Sequence, residues 1–159
     1  MIPPRTTLTA AIQTALGAIT QEDGARTNIG RLVYVGAHPV NDNELPCCVL
    51  TPGQETLAPD AGPLGHVAVA YTVSGYVNRR DSKAEEYTAD PCAEFALVDA
   101  IIADVRDAIE GTGCVLASEA YSVVYQGAVP HYHEDGGEAC GASLSYQITT
   151  PYIDFIPGQ

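Results

Sequence analysis

Apolar residues recur along this chain at two different periods, and the changes of period predict the order of its elements. A helix comes first, capped by Thr6 or Thr7 and ending before Gln21, because apolar residues recur there at helical spacing. Its apolar positions are Leu8, Ile12, Ala15, Leu16 and Ile19.

Three strand-like runs follow this helix. The first covers residues 31–36, and the second covers residues 46–53, where a Pro-Gly pair signals a turn into a loop at 53–65. The third, His66 to Asn78, has apolar residues at every second position and is long for a strand. We therefore expect it either to bend at Gly75 or to extend past its own core towards a neighbour.

A second helix is predicted after a charged loop at 79–90. Asp90 is a good N-cap, Pro91 suits the first helical position, and Gly111 suits the C-terminal end. The predicted apolar face consists of Phe95, Val98, Ile102, Val105 and Ile109. The predicted solvated acidic face consists of Asp99, Asp104, Asp107 and Glu110.

Two further strands complete the pattern. One covers residues 115–126, and the other has apolar residues at 142, 144, 146 and 148 in strict alternation with polar ones, after a connection at 130–141. The order is thus α-β-β-β-α-β-β. It predicts one α+β domain over residues 1–159, in which two α-helices pack on a mainly antiparallel β-sheet.

Charge and cysteine content narrow the range of functions. With 7 basic and 20 acidic residues, the net charge of −13 argues against wrapping nucleic acid, which requires Lys and Arg. It suits a surface that repels DNA, one that docks on a basic partner, or simply a soluble protein. No apolar run is long enough for a membrane span, and we expect no secretion signal. The five cysteines are expected to be free and mostly buried.

Reactive side chains concentrate in the connection at 130–141. His131 and His133 are two residues apart, and Cys140 or a carboxylate could complete a zinc site with them. A polar hairpin loop explains the same residues. A Cys140 nucleophile with either histidine as base is a further alternative, although no orienting group or oxyanion hole is evident. We expect no catalytic residue, no resident metal and no cofactor, and hence a protein that is not an enzyme.

Several segments, taken in their order along the sequence, resemble a known protein family over nearly the whole chain. They are the first helix, the strand ending in Pro46-Cys47-Cys48-Val49-Leu50-Thr51-Pro52-Gly53-Gln54-Glu55, the strand ending in Gly75-Tyr76-Val77, the helix Ala93 to Glu110 and the closing strand pair. Together they are similar to the tail terminator proteins of long-tailed bacteriophages.

This resemblance implies a structural virion protein of the tail or neck, assembled in the host cytoplasm. It implies a ring, of six copies in the family, at the head-proximal end of the tail tube. The ring would stop tube polymerisation and provide the surface for head attachment. The implied partners are further copies of the chain, the tail tube protein and a head-completion or neck protein, with DNA passing through the lumen without specific binding. The alternatives are another head-tail connector, neck or tail-completion protein, or a small metal-binding domain or enzyme.

Two loops hold the candidate interface residues. The loop at 79–90 contains Arg79, Arg80 and Lys83, and we expect this local basic cluster to contact acidic surface on a neighbouring subunit or on the tube. Glu134 and Asp135 are further candidates in the connection at 130–141, a loop that is not a recognised family feature.

Overall fold

The computed structural model describes residues 4–57, 66–81, 93–111, 122–132 and 137–151. The helices in these residues are α1 (Pro4–Gly17) and α2 (Ala93–Glu110). The strands are β1 (Val33–Val35), β2 (Cys47–Leu57), β3 (His66–Asn78), β4 (Ser122–His131) and β5 (Ala139–Pro151). The element order and the α+β class are those predicted from the sequence.

The five strands form one mixed sheet in the order β1-β2-β3-β5-β4. The short pairing of β1 with β2 is parallel, and the other three pairings are antiparallel. Strand β3 has the bounds that the sequence predicts, and it pairs with β5 from His66 to Asn78 without a register shift. Strand β3 lies at the centre of this order, and β1 and β4 are the outermost of the described strands.

Both helices pack on one face of the sheet and enclose the core there. Tyr71 and Val73 of β3 and Leu144 of β5 are buried on this face, as the alternating pattern predicts. Gly75 lies in the same register beneath Ile101 of α2. A Cβ atom at position 75 would be 2.7 Å from Cγ2 of Ile101, so this glycine permits close approach of the helix.

The start of the chain differs from the prediction. Helix α1 includes Thr6 and Thr7, so neither residue is the N-cap, and it ends at Gly17. Ile19 is buried but follows the helix, in a segment that continues into a short 3-10 turn at Gln21–Asp23. Strand β1 is also shorter than predicted, since Ile29–Arg31 forms another 3-10 turn.

Two β-bulges explain why the strand ends differ from the prediction. Strand β2 continues through Pro52 and Gly53 to Leu57, because a shift of register after Pro52 absorbs the expected turn. Strand β4 begins in the described residues at Ser122 and continues to His131, five residues past the predicted end at 126. A second register shift at Gln126, beside Gly127 with φ of +128°, keeps β4 paired with β5.

The predicted faces of α2 need two corrections. Phe95 is not part of the buried face: it is 49% exposed and packs edge-to-face on Tyr132, with ring centroids 5.1 Å apart. Asp104 is not part of a solvated acidic face, because it is buried among polar partners from another segment. Ile101 takes a core position instead. Asp90 and Pro91, the predicted start, lie outside the described residues.

The cysteines that the structure describes, Cys47, Cys48 and Cys140, are buried as expected, and Cys47 and Cys48 are free thiols. Burial raises the pKa of Cys48 to about 12 and that of Cys47 to about 11, so neither thiol is a ready nucleophile near neutral pH. In the described part of the chain, neither helix combines the length and the apolar character needed to cross a bilayer.

Candidate interaction surface

The predicted basic cluster is partly neutralised by an acidic residue that the sequence did not single out. Arg79 and Arg80 form the 3-10 turn after β3, and Glu138 precedes β5 beside them. The Glu138 carboxylate lies 3.2 Å from Nε of Arg80 and 3.7 Å from Nε of Arg79. The Arg80 side chain remains 62% exposed, so it offers charge to a partner, whereas Arg79 is mostly covered.

The other candidate interface residues lie outside the described residues. They are Lys83, Glu134 and Asp135. Their contribution to an interface therefore stays a prediction from the sequence.

The structure separates two of the three residues in the zinc alternative. His131 pairs with Gly141 across β4 and β5, and its Nε2 lies 2.7 Å from Oγ of Ser143, on the face opposite the helices. Cys140 points the other way, into the core beneath the helices. His133 lies outside the described residues. Among the residues that are described, no group of three or more His, Cys, Asp or Glu side chains could hold a metal ion.

The sheet surface opposite the helices is called the open face below. On β3, β5 and β4 it consists of the outward positions that pair in rows across the sheet, such as Ser74 with Ser143 and Val129. The described helices pack on the other face, as the buried core shows. Near the β1 edge, the Tyr34 ring stacks on His38 at a centroid distance of 3.6 Å, so part of the open face is covered locally.

The open face carries no formal charge along the strands that the structure describes. Its residues on β2 are Cys47, Val49, Thr51 and Thr56, and on β3 they are Ala68, Ala70, Thr72, Ser74 and Tyr76. On β5 they are Gly141, Ser143, Ser145, Gln147 and Thr149, and on β4 they are Ser122, Val124, Gly127, Val129 and His131. A chain with 7 basic and 20 acidic residues thus places no Asp, Glu, Lys or Arg at these strand positions. At the β1 side of the open face, the Glu44 carboxylate lies 3.3 Å from Nε2 of His38, and burial together with this carboxylate raises the pKa of Tyr34 and of Cys47.

Hydrogen bonds on the open face link its polar side chains to one another. The hydroxyls of Ser74 and Ser143 are 2.7 Å apart, and Ser143 also meets His131. The ring of Tyr76 stacks near that of His131, with 5.9 Å between centroids. These contacts order the side chains of the open face between β3, β5 and β4.

A buried polar cluster fixes the segment before β1 against α2. The Asp104 carboxylate accepts hydrogen bonds from the backbone N–H groups of Arg26 and Thr27, at 3.1 and 2.8 Å, and from the Thr27 hydroxyl at 2.7 Å. The Arg26 guanidinium lies between Asp107 at 2.9 Å and Asp104 at 3.1 Å. Its hydrogen bonds to Asp107 and then Asp104 raise its pKa further. The two carboxylates thus pair with the charged guanidinium of Arg26 within the chain.

The neighbouring cleft offers little to a ligand. It has a volume of about 310 Å³ and is bordered by Gln21, Asn28 and Arg31 together with Arg26. Since Arg26 is already paired with two carboxylates, the cleft has no free positive charge from that residue for an anion. Arg31, which is 57% exposed and 4.0 Å from Glu22, is the other basic residue at this cleft. The open face is a second candidate for a functional site.

Comparisons with known proteins give a limited result. No family model matches the chain, and no curated protein matches it in sequence. In structure it is similar to a chain of the virion of a native gene transfer agent particle, at 15% sequence identity and a TM-score of 0.41. The alignment covers 91% of this chain and 97% of that chain, but a TM-score of 0.41 is too low to establish a shared fold.

Proposed function

We propose that this protein is a structural subunit of a phage-like virion and that it acts as a tail terminator. Copies of the chain form a ring at the head-proximal end of the tail tube, stop its polymerisation and provide the surface to which the head attaches. In this role it binds no cofactor and performs no catalysis. It acts through the contacts that its surface makes with other protein chains.

The lack of charged residues at the strand positions of the open face is the single observation that carries this proposal. Interface centres are depleted in charged residues, whereas the free surface of a strongly acidic protein is rich in them. Ser74, Thr72 and Ser145 occupy the middle of the open face, and exposed Val124 and Val129 lie along its β4 side. Such a surface is suited to contact with other protein chains.

The strong negative charge elsewhere fits the same role. Acidic surface around a lumen would let DNA pass without adsorbing, since negative charge repels the phosphates. The metal-site alternative is weaker, because Cys140 and His131 lie on opposite faces of the sheet. Another connector, neck or tail-completion protein is the runner-up, and it would share the open face but engage a different partner.

The proposal is tested by following the growth of tail tubes in the presence of this protein. Tube protein is polymerised alone and with the chain at a few per cent of the tube subunits, and light scattering records tube length. A terminator halts growth at shorter lengths in proportion to the amount added. Unchanged growth at every ratio would favour the connector or neck alternative.

Reversal of the basic cluster is expected to weaken this assembly. In the double variant Arg79→Glu with Arg80→Glu, charge attraction to an acidic neighbour becomes repulsion, so at least tenfold more protein should be needed to halt tube growth. Arg80→Glu alone leaves the covered Arg79 in place and should give part of the effect. Titration of tube growth measures both.

The matched control reverses two positive charges elsewhere, in Arg5→Glu with Arg31→Glu, of which Arg31 is 57% exposed. It alters the net charge equally but leaves the turn after β3 unchanged. If both double variants behave alike, or if the Arg79 and Arg80 variant caps tubes normally, the basic cluster is not part of the interface. Thermal melting of each variant excludes a loss of fold as the cause.

A further inference from the structure

Two residues on the open face are buried, although the described helices pack on the other face. Cys47 and Val49 of β2 occupy outward positions, where they pair with outward positions of β3. They are 0% and 6% exposed, whereas Ser74, the partner of Val49, is only partly buried. A part of the chain other than the two helices therefore covers the β1 side of the open face.

The segment that joins β1 to β2 supplies this cover, and residues 37–46 are called the flap below. Tyr34 of β1 lies on the open face through its pairing with β2, and the ring of His38 stacks on it at 3.6 Å between centroids. The Glu44 carboxylate is close enough to Cys47 to add to the effect of burial in raising the pKa of that thiol. The flap thus lies over the start of β2 on the open face.

A small set of polar contacts holds the flap closed. Nε2 of His38 lies 3.3 Å from both carboxylate oxygens of Glu44. The same carboxylate accepts a hydrogen bond from the backbone N–H of Asn41 at 3.0 Å. The hydrogen bond from Asn41, and then that from His38, lower the pKa of Glu44, although desolvation opposes them. Glu44 is therefore the residue on which the closing contacts converge.

The flap itself is only lightly packed. None of residues 37–46 is buried, whereas residues 47–50 directly after them all are. The His38 and Glu44 side chains are 31% and 22% exposed, and ion pairs that water reaches contribute little to stability. Segments with few buried contacts open locally at a lower free energy than the whole domain unfolds. Gly36, with φ of +102°, joins the flap to β1 at a position where the backbone has room to turn.

We propose that the flap opens to lengthen the open face for a protein partner that presents an uncharged surface. Opening uncovers Val49 and Cys47, and it carries the Glu44 carboxylate away from the strand positions, none of which is charged. The lengthened row across the sheet then consists of Tyr34, Val49, Ser74, Ser143 and Val129. An uncharged partner fits this row because a charge buried there would find no opposite charge among these side chains.

The closed flap is in this respect an autoinhibitory cover. It hides the apolar end of the row until a partner displaces it, so the partner's apparent affinity is reduced by the fraction of molecules that are closed. The identity of the partner as the tail tube protein rests on the proposed function. The opening of the flap does not depend on that function.

Thiol labelling measures the opening directly, because Cys47 and Cys48 are adjacent and face opposite sides of the sheet. An open flap exposes Cys47, whereas Cys48 lies in the core beneath the helices and reacts only when the domain unfolds. The full chain is incubated with N-ethylmaleimide under native conditions, and fragmentation mass spectrometry records the labelling rate of each thiol. In Glu44→Gln we expect labelling of Cys47 to become about fivefold faster or more, with Cys48 unchanged.

Two further variants separate flap opening from the charge of Glu44. His38→Ala removes the ring stack and the ion pair but keeps the carboxylate, so it should also speed the labelling of Cys47. Asp42→Asn removes one negative charge at an exposed position of the same 3-10 turn and should label like the wild type. The flap is refuted if Cys47 labelling is unchanged, rises only in Glu44→Gln, or rises together with that of Cys48.

Tube growth with the same variants connects the flap to the proposed function. If an open flap assists docking, Glu44→Gln should halt tube growth at severalfold lower amounts than the wild type. Equal amounts would overturn the docking role of the flap. If neither protein halts tubes while Cys47 is still labelled selectively, the tail-terminator function fails and the flap is retained.

Discussion

Replacement of Asp104 by alanine is expected to lower the free energy of unfolding by about 3 kcal/mol, because a buried acceptor of several hydrogen bonds is lost. The Asp104 side chain is 2% exposed, and it is the acceptor for the Thr27 hydroxyl and for the backbone N–H groups of Arg26 and Thr27. Without the carboxylate, the N–H and hydroxyl groups of Thr27 stay buried and lose their hydrogen-bond acceptor. For a domain of this size the melting temperature should fall by roughly 10 °C. Calorimetry or thermal circular dichroism measures this loss.

Asp107→Ala is the matched control for this variant. It removes the other carboxylate that contacts Arg26, but the Asp107 side chain is 72% exposed, so its loss should change stability by about 0.5 kcal/mol or less. Equal effects of the two substitutions would contradict the account, since a solvated ion pair would then explain both. A stability loss confined to Asp104→Ala shows that the buried hydrogen bonds are responsible.

Gly75→Val is expected to destabilise the protein by about 3 kcal/mol through overpacking of the core. A Cβ atom at position 75 would lie 2.7 Å from Cγ2 of Ile101 and 2.8 Å from Cδ1 of Ile29. Both atoms belong to branched side chains that are fully buried, so α2 has to move away from β3. Denaturant unfolding should show a lower midpoint, and the contacts of Ile101 should change in methyl NMR spectra.

Gly17→Ala is the control for this glycine. Gly17 ends α1, and a Cβ atom there would meet nothing within 4 Å. The substitution should be neutral or slightly stabilising, because alanine loses less backbone entropy on folding than glycine. If Gly75→Val were as harmless as Gly17→Ala, the close packing of α2 on β3 would be incorrect.

The parts of the fold that the sequence predicted well are those with a clear local period. Strand β3 has its predicted bounds because apolar and polar residues alternate along it without interruption. In β5, Leu144, Tyr146 and Ile148 are buried as their alternation indicates. Both signals are local, so no knowledge of the sheet order was needed.

The errors arise where distant residues decide the outcome. Asp104 was assigned to a solvated face because its partners, Arg26 and Thr27, are 78 and 77 positions away in sequence. The predicted turn at the Pro-Gly pair of β2 and the predicted early end of β4 were both wrong. A β-bulge accommodates glycine within a strand, and an edge strand accommodates proline, so both strands continue. Such irregularities depend on the neighbouring strand, which a period along one strand does not reveal.

The interaction surface was predicted only in part, for a similar reason. Arg79 and Arg80 could be identified as a basic cluster from the sequence, but Glu138 beside them could not, because β3 and β5 bring them together. The lack of charge on the open face could be recognised only from the register of four strands, because the register decides which residues share a face. Alternating Ser and Thr residues on the strand sides opposite the core were the available signal, since acidic residues would be expected there.

The central claim, that this chain terminates a tail tube as a ring of copies, is tested most directly by negative-stain imaging. The protein is imaged at high concentration and after mixing with tail tube protein. We expect rings, or tubes that carry a ring at one end and have stopped growing. Particles that never form rings and tubes that stay uncapped and continue to grow would contradict the claim.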